Sequence, residues 1–173
     1  MKDRILHSGF IEVVMRNGNR EVAKVTDSVA ILVYVRNLDC IVFILEDRCA
    51  MWGKPGVKSN FLSIPAGRFD EKIDIEDLIV KELFEEIGAT IMKKDVLLLN
   101  RGSSLALSPG VITEMQYLAY VEIDSSQLSE DRTFGLEEEG ERIERVLIRA
   151  NVLKEMTFHD MKAWALAQWF MGR

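Results

Sequence analysis

The chain has 173 residues, of which 48% are hydrophobic and 29% charged, and its formal net charge at pH 7 is -6. These values are typical of one globular domain with a sizeable core, and the negative charge argues against a broad nucleic-acid-binding surface. No apolar run is long enough to span a membrane, the N-terminus has no apolar signal segment, and Cys40 and Cys49 form no paired motif, so we expect a cytoplasmic protein.

The first third of the chain is predicted to form strands. Residues 1–27 contain two β-rich runs around Asn17 and Gly18, which tolerate the positive φ angles of a tight turn, so an N-terminal β-hairpin is expected. The next two runs, 29–35 and 40–46, are almost entirely apolar. Such strands are expected to be covered on both faces of a sheet.

The first predicted helix spans about Ile75–Ile87, from an N-cap at Asp74 to a stop at Gly88. One of its faces is apolar at helical spacing and is expected to pack against the sheet; this face contains Val80, Leu83, Phe84 and Ile87.

Another face of this helix is acidic, because Glu82, Glu85 and Glu86 lie on one stripe. Like charges four residues apart destabilise a helix by roughly 0.2–0.5 kcal/mol. The helix dipole also disfavours anions at the C-terminal end. Charged stripes are most often solvated surface, but these costs favour a use for the carboxylates. Hard divalent cations such as Mg²⁺ bind oxygen ligands that they share with substrate phosphates.

The second half of the chain is predicted to contain three further strands, a loop and a second helix. A long acidic loop is expected over 125–141, and the helix over about 158–171, with Thr157 and Asp160 in capping-box spacing. The order of strands and helices predicts an α+β fold with a mixed sheet. The three strands are predicted over 95–102, 114–123 and 142–148.

The spacing of glycines and carboxylates in this chain resembles the Nudix box. That pattern is Gly, five residues, Glu, seven residues, Arg-Glu, an aliphatic residue, any residue, Glu-Glu, any residue, Gly and an aliphatic residue. Ile73 stands in place of the first Glu and Lys81 in place of Arg, two positions that in the family support the loop and helix rather than bind metal. The matching positions are Gly67, Glu82, Leu83, Glu85, Glu86, Gly88 and Ala89.

Flanking segments resemble the branch of this family that hydrolyses ADP-ribose and nucleoside-diphosphate sugars. Residues 64–68 read IPAGR, 107–114 read LSPGVITE and 134–146 read FGLEEEGERIERV. The resemblance implies a Nudix hydrolase domain over 28–173, with an α/β/α sandwich around a mixed β-sheet. N-terminal strands in this branch often pair with a second subunit, which implies a homodimer contact through residues 1–27.

The resemblance also implies a metal site and a catalytic base. Glu139 is the candidate general base, although its register relative to Glu137 and Glu138 stays open, and Glu85 is a further catalytic carboxylate. Without the family, the same acidic run is most simply a solvated loop. The implied ligands of Mg²⁺ or Mn²⁺ are the Ala66 carbonyl, Glu82, Glu86 and Glu141.

Substrate contacts follow from the same resemblance. Arg48 is placed to touch a phosphate or is a surface arginine, and Trp52 either stacks on a base or sugar or packs against the protein. Ser63 stands where the branch commonly has a glutamate that contacts the nucleoside, which leaves the nucleoside preference open. The implied substrate-binding residues are Arg48, Trp52, Ser63, Arg68, Ser108, Gly110 and Glu114.

The expected function is metal-dependent cleavage of the diphosphate in a nucleoside-diphosphate sugar or ADP-ribose. The products would be a nucleoside monophosphate and a sugar phosphate. Two alternatives remain open. The chain could bind a nucleotide sugar without cleaving it, or it could be a Nudix enzyme that acts on another nucleotide.

Overall fold

The structure is a computed structural model that describes residues 3–9, 11–58, 60–70, 72–135 and 142–173. The α-helices in these ranges are α1 (Ile75–Ile87) and α2 (Met161–Met171), and neither is long and apolar enough to cross a membrane. The strands are β1 (Arg4–His7), β2 (Glu12–Arg16), β3 (Arg20–Lys24), β4 (Ser28–Val35), β5 (Cys40–Asp47), β6 (Asn60–Ser63), β7 (Ala66–Arg68), β8 (Val96–Leu98), β9 (Leu105–Ala106), β10 (Met115–Ile123), β11 (Thr133–Phe134) and β12 (Ile143–Arg149).

Strands β4 to β12 form one mixed sheet. Its main path is β11-β12-β5-β4-β10-β8, and the short strands β6, β7 and β9 pair with β5, β4 and β10. Strands β4 and β10 run parallel, with Ser28 opposite Gln116 and Val35 opposite Ile123, whereas β4 and β5 are antiparallel. The predicted α+β class with a mixed sheet is therefore confirmed.

Each face of this sheet carries one helix. Val29, Ile31 and Val33 of β4 pack in the cluster that contains α1. Ala30 and Leu32 pack in the cluster that contains α2. Successive side chains of a strand point to opposite faces, so one apolar strand supplies both cores. This explains why the run has no apolar–polar alternation, as the sequence predicted.

The N-terminal residues form a separate three-stranded antiparallel sheet in the order β1-β2-β3. The predicted hairpin is present as β2 and β3, and the φ angles at its turn are 50° for Asn17 and 76° for Gly18. Strand β3 is also tied to the segment before β10, because Ala23 N donates to Val111 O at 2.9 Å and Thr113 N donates to Ala23 O at 3.1 Å.

Helix α1 has the predicted bounds, and the predicted apolar face packs on the sheet through Val80, Leu83 and Ile87 but not through Phe84. Gly88 ends it in the left-handed region with φ of 64°, whereas Asp74 occupies the N-cap without a side-chain capping hydrogen bond. Phe84 was expected in the core but is 64% exposed. The buried face instead extends to Leu78, Ile79 and Glu86, and its buried members are Leu78, Ile79, Leu83, Glu86 and Ile87.

Helix α2 begins later than predicted, at Met161. Its N-cap is Asp160 rather than Thr157, and the Asp160 carboxylate accepts a hydrogen bond from Lys162 N. Phe158 packs instead against Phe43 of the sheet, with ring centroids 6.1 Å apart. This aromatic contact fixes the chain just before the helix, and the capping carboxylate then starts it.

The predicted long loop over 125–141 is largely organised within the residues that the structure describes. Ser125–Gln127 form a 3-10 turn, Leu128 bridges to Ala89, and β11 pairs with β12. Arg145 of β12 holds this segment against α1 by donating hydrogen bonds to carbonyl groups; its acceptors are Ile87 O at 2.5 Å, Asp131 O at 2.7 Å and Ser129 O at 2.8 Å.

Candidate functional site

A pocket of about 510 Å³ lies beside the C-terminal half of α1. This volume is in the range of small-molecule sites, roughly 300–1,000 Å³. Its walls come from α1, β7, the starts of β4 and β10, the end of β5 and the start of α2. Charged side chains dominate the lining; they are Arg48, Arg68, Asp70, Lys81, Glu82, Glu85, Glu86, Glu114, Asp160 and Lys162.

The acidic stripe of α1 faces this pocket, since Glu82, Glu85 and Glu86 all line it. Glu86 is only 7% exposed, and its Oε2 accepts a hydrogen bond from Ala66 N at 2.9 Å. Burial raises the pKa of the Glu86 carboxyl well above its usual value; the Ala66 N–H opposes this shift, and the negative charge of Glu82 adds to it. Glu86 is therefore not a solvated surface residue, and the half-buried Glu82 and Glu85 lie beside it in the pocket lining.

Gly67 allows α1 to approach β7 closely. A Cβ at this position would overlap the Glu82 carboxyl group. The glycine therefore makes room for a carboxylate beside the backbone of Ala66, whose carbonyl is a predicted metal ligand. A buried carboxylate next to a second one is costly unless a cation compensates it, and oxygen donors suit a hard divalent ion. The residues present therefore fit Mg²⁺ or Mn²⁺.

The described ranges do not contain a complete side-chain metal site. No group of three or more His, Cys, Asp or Glu side chains within them converges closely enough to hold an ion. The predicted set draws its other ligands from the Ala66 carbonyl and from Glu141. Glu141 and the candidate base Glu139 both lie outside the described residues.

Arg48 brings a positive charge to the pocket from the end of β5. Its Nη2 atom lies 2.5 Å from Glu46 Oε1. Glu46 is buried, and its Oε1 has no hydrogen bond of acceptable geometry to the described residues. The ion pair with Arg48 thus compensates the buried charge of Glu46 without a well-aligned hydrogen bond.

A polar network lines the pocket at the starts of β4 and β10. Gln116 Nε2 donates to Ser28 Oγ at 3.0 Å, and Ser28 Oγ donates to Glu114 Oε1 at 2.6 Å. Ser28 and Gln116 are both buried. The network fixes the orientation of Glu114, one of the predicted substrate-binding residues.

The start of α2 supplies another wall. Asp160 Oδ2 accepts a hydrogen bond from Ser63 Oγ at 2.5 Å and lies 3.3 Å from Lys162 Nζ. Ser63 is fully buried and does not line the pocket, but its partner Asp160 does. Ser63, which was predicted to contact substrate, therefore affects the pocket through the side chain of Asp160.

The remaining predicted residues divide into two groups. Arg68 lines the pocket together with the residues above, and Leu107 of the Ser-Pro-Gly segment also lines it. Trp52 lies outside the lining; it is 61% exposed, and its Nε1 donates to Asp47 Oδ1 at 2.7 Å. Ser108 and Gly110 are exposed and also lie outside the lining.

The sequence did not identify several residues that line the pocket. Lys162 and Asp160 reach it because β6 and α2 meet in the fold, and no local pattern indicated this. Ser28 and Gln116 gave a weak signal, since each is a polar residue at the start of an otherwise apolar strand. Neither a scan against protein-family models nor a search of curated proteins found a match for this chain.

Proposed function

We propose that the protein is a metal-dependent pyrophosphohydrolase that cleaves the diphosphate of a nucleoside-diphosphate sugar or of ADP-ribose. One observation carries this proposal: Glu82, Glu85 and Glu86 meet Ala66 and the cationic side chains of Arg48 and Lys162 in a single pocket. Carboxylates suited to metal ions and cations suited to phosphate are the two elements that phosphoryl transfer requires. The resemblance to the Nudix box supports the same chemistry.

In the proposed mechanism Glu82, Glu86 and the Ala66 carbonyl would hold Mg²⁺ or Mn²⁺, with Glu141 as a further ligand. The chemistry supplied at this site would be stabilisation of negative charge on the diphosphate and a lower pKa of the attacking water. Glu86 is oriented for this role by the hydrogen bond from Ala66 N, and Glu82 is oriented by its close packing on Gly67. Glu85 lies on the same stripe and serves as a further catalytic carboxylate.

Glu139 is the proposed general base that removes a proton from the attacking water. Gly135, which lines the pocket, directly precedes the segment that contains Glu139, and this supports the assignment. Arg68 and Arg48 contact the phosphates, and Glu114 accepts hydrogen bonds from hydroxyl groups of the substrate.

The protein is also proposed to form a homodimer through its N-terminal sheet. This sheet leaves apolar side chains exposed, among them Ile5 at 59%. Light scattering of the whole chain tests the proposal, and a monomer mass at micromolar concentration would contradict it.

The function is tested by product release from ADP-ribose, GDP-mannose, UDP-glucose, ADP-glucose and nucleoside triphosphates, with and without Mg²⁺. We expect metal-dependent cleavage of at least one diphosphate sugar. Glu86→Gln should raise the Mg²⁺ concentration needed for half-maximal activity by about tenfold or more, since it removes an anionic ligand.

Glu76→Gln is the matched control, because Glu76 lies on the same helix but does not line the pocket. Its Mg²⁺ requirement should equal that of the wild type. If no panel member is cleaved but one binds with Mg²⁺ dependence, the non-catalytic alternative replaces this proposal. Cleavage of nucleoside triphosphates alone would assign the enzyme to another nucleotide.

A further inference from the structure

Two cationic side chains of the pocket are each paired with a carboxylate that is buried or nearly buried. Arg48 is paired with Glu46, and Lys162 with Asp160. The carboxylate side chains are 8% exposed in Glu46 and 10% exposed in Asp160. A cation that is tied to a buried partner samples fewer positions than a free surface lysine or arginine, so less ordering entropy is lost when it binds a ligand.

Asp160 is itself fixed by the fold. Its Oδ2 accepts the Ser63 hydroxyl, and its Oδ1 accepts Lys162 N at 3.1 Å. Ser63 lies in β6, opposite Ile44 of the central strand β5. The position of the Lys162 ammonium group is therefore set by the sheet through two side chains, and not only by the flexible stem of the lysine.

The acidic lining of the pocket makes these cations necessary for an anionic ligand. Glu82, Glu85, Asp70 and Glu114 lie in the same lining and repel a diphosphate. Metal ions would compensate the carboxylates that bind them and the phosphoryl oxygens that they contact. Phosphoryl oxygens elsewhere in the pocket need protein cations, and an ammonium group binds phosphate as a compact point charge.

We propose that Lys162, together with Arg48, binds phosphoryl oxygens of the diphosphate substrate, and that Asp160 and Ser63 are the positioning residues for Lys162. This inference rests on the proposed function, because it takes the ligand to be the diphosphate that the enzyme cleaves. It assigns α2 a direct part in substrate binding. The competing interpretation is that Lys162 only stabilises the start of α2 by pairing with Asp160.

The test compares Lys162→Met with the wild type on the best substrate of the panel. We expect KM to rise about tenfold or more, with kcat within about threefold, because the variant loses a charge-assisted contact to substrate. Lys162→Arg keeps the charge and should restore KM to within about threefold of the wild type. Lys154→Met is the control, since Lys154 is exposed and lies outside the pocket lining.

A second measurement does not depend on turnover. Calorimetry with inorganic pyrophosphate and Mg²⁺ should give a Kd for Lys162→Met about tenfold weaker than for the wild type and Lys154→Met. If the wild type cleaves substrate but KM and pyrophosphate affinity are unchanged in Lys162→Met, this inference is wrong and the proposed function stands.

If the wild type binds pyrophosphate but cleaves nothing, while Lys162→Met loses that binding, the anion site stands and the proposed function is wrong. If the wild type neither cleaves the panel nor binds pyrophosphate, both are wrong. A Tm lowered in Lys162→Met with unchanged KM and Kd would support the purely structural interpretation.

Discussion

The two helices lie on opposite faces of one sheet, but they are attached to it at opposite ends. Helix α1 is fixed at its C-terminal half, where Glu86 meets Ala66, Glu82 packs on Gly67 and Arg145 donates to Ile87 O. Helix α2 is fixed at its N-terminal end, where Asp160 accepts hydrogen bonds from Ser63 and Lys162. Both attached ends line the pocket.

This difference indicates how the site obtains its rigidity. A binding site needs side chains held by a second layer of contacts, and each helix has polar contacts of this kind where it supplies such side chains. The opposite ends are held mainly by apolar packing: Leu78 and Ile79 of α1 are buried, and Trp169 and Phe170 of α2 pack against the core on their face of the sheet. Variants of polar side chains at the attached ends should therefore cost more than matched polar variants elsewhere.

The largest effect is expected for Arg145→Met, which removes one hydrogen bond from β12 to the C-terminal end of α1 and two to the loop that contains Ser129 and Asp131. The carbonyl of Ile87 and those of Ser129 and Asp131 lose a charged donor, so the free energy of unfolding should fall by about 2–4 kcal/mol. Urea unfolding measures the change. Arg149→Met, at the exposed end of the same strand, should cost less than about 0.5 kcal/mol. Equal costs for the two variants would mean that Arg145 does not anchor α1.

Gly67→Ala should have an intermediate effect on stability and a strong effect on activity. The added methyl group overlaps the Glu82 carboxyl group, so either the Glu82 side chain must leave its position or the backbone of α1 or β7 must shift. Overpacking of this kind costs about 1–3 kcal/mol, and displaced catalytic geometry lowers kcat/KM by about 100-fold. Gly172→Ala is the control, because its Cβ would lie no closer than 3.4 Å to Gln168 O. Wild-type kcat/KM in Gly67→Ala would show that Glu82 need not lie against β7.

The same contrast between the helices explains which features could be predicted from the sequence. The long strands β4, β5, β10 and β12 and the bounds of α1 follow from local patterns: apolar runs, and a glycine at Gly88 that can adopt positive φ. The short strands do not, since β6 begins in a segment predicted as a loop and the strand predicted over 95–102 is only Val96–Leu98. The carboxylate stripe of α1 also follows from local spacing. The rotation of α1 about its axis could not be predicted from the sequence. The burial of Glu86 and the exposure of Phe84 depend on where the pocket lies relative to the sheet.

The start of α2 and its pocket residues depend on contacts between distant parts of the chain. Ser63 and Asp160 are 97 residues apart, and Ser28 and Gln116 are 88 residues apart. A capping pattern near Thr157 was locally plausible, but the packing of Phe158 on Phe43 moved the helix start to Met161. Tertiary contacts overrode the local signal at this position.

The smallest expected loss of stability concerns the two N-cap aspartates, Asp160 and Asp74. Asp160→Ala removes the acceptor for Lys162 N and Ser63 Oγ and leaves the Lys162 ammonium group without its carboxylate, so a loss of about 1–2 kcal/mol is expected. Asp74→Ala should cost less than about 0.5 kcal/mol, since the Asp74 side chain makes no capping bond. Urea unfolding of both variants, with the m-value checked for constancy, measures the difference.

A further variant of Asp160 separates its role in substrate binding from its role in stability. If Asp160 were only a helix cap, Asp160→Asn would keep most of the stability, because an asparagine also caps well. It would also leave KM unchanged. If Asp160 positions Lys162 for substrate, Asp160→Asn should keep the fold yet raise KM, since the amide no longer pairs with the ammonium group. A stable Asp160→Asn protein with raised KM would therefore show that the attached end of α2 positions a binding residue in addition to starting a helix.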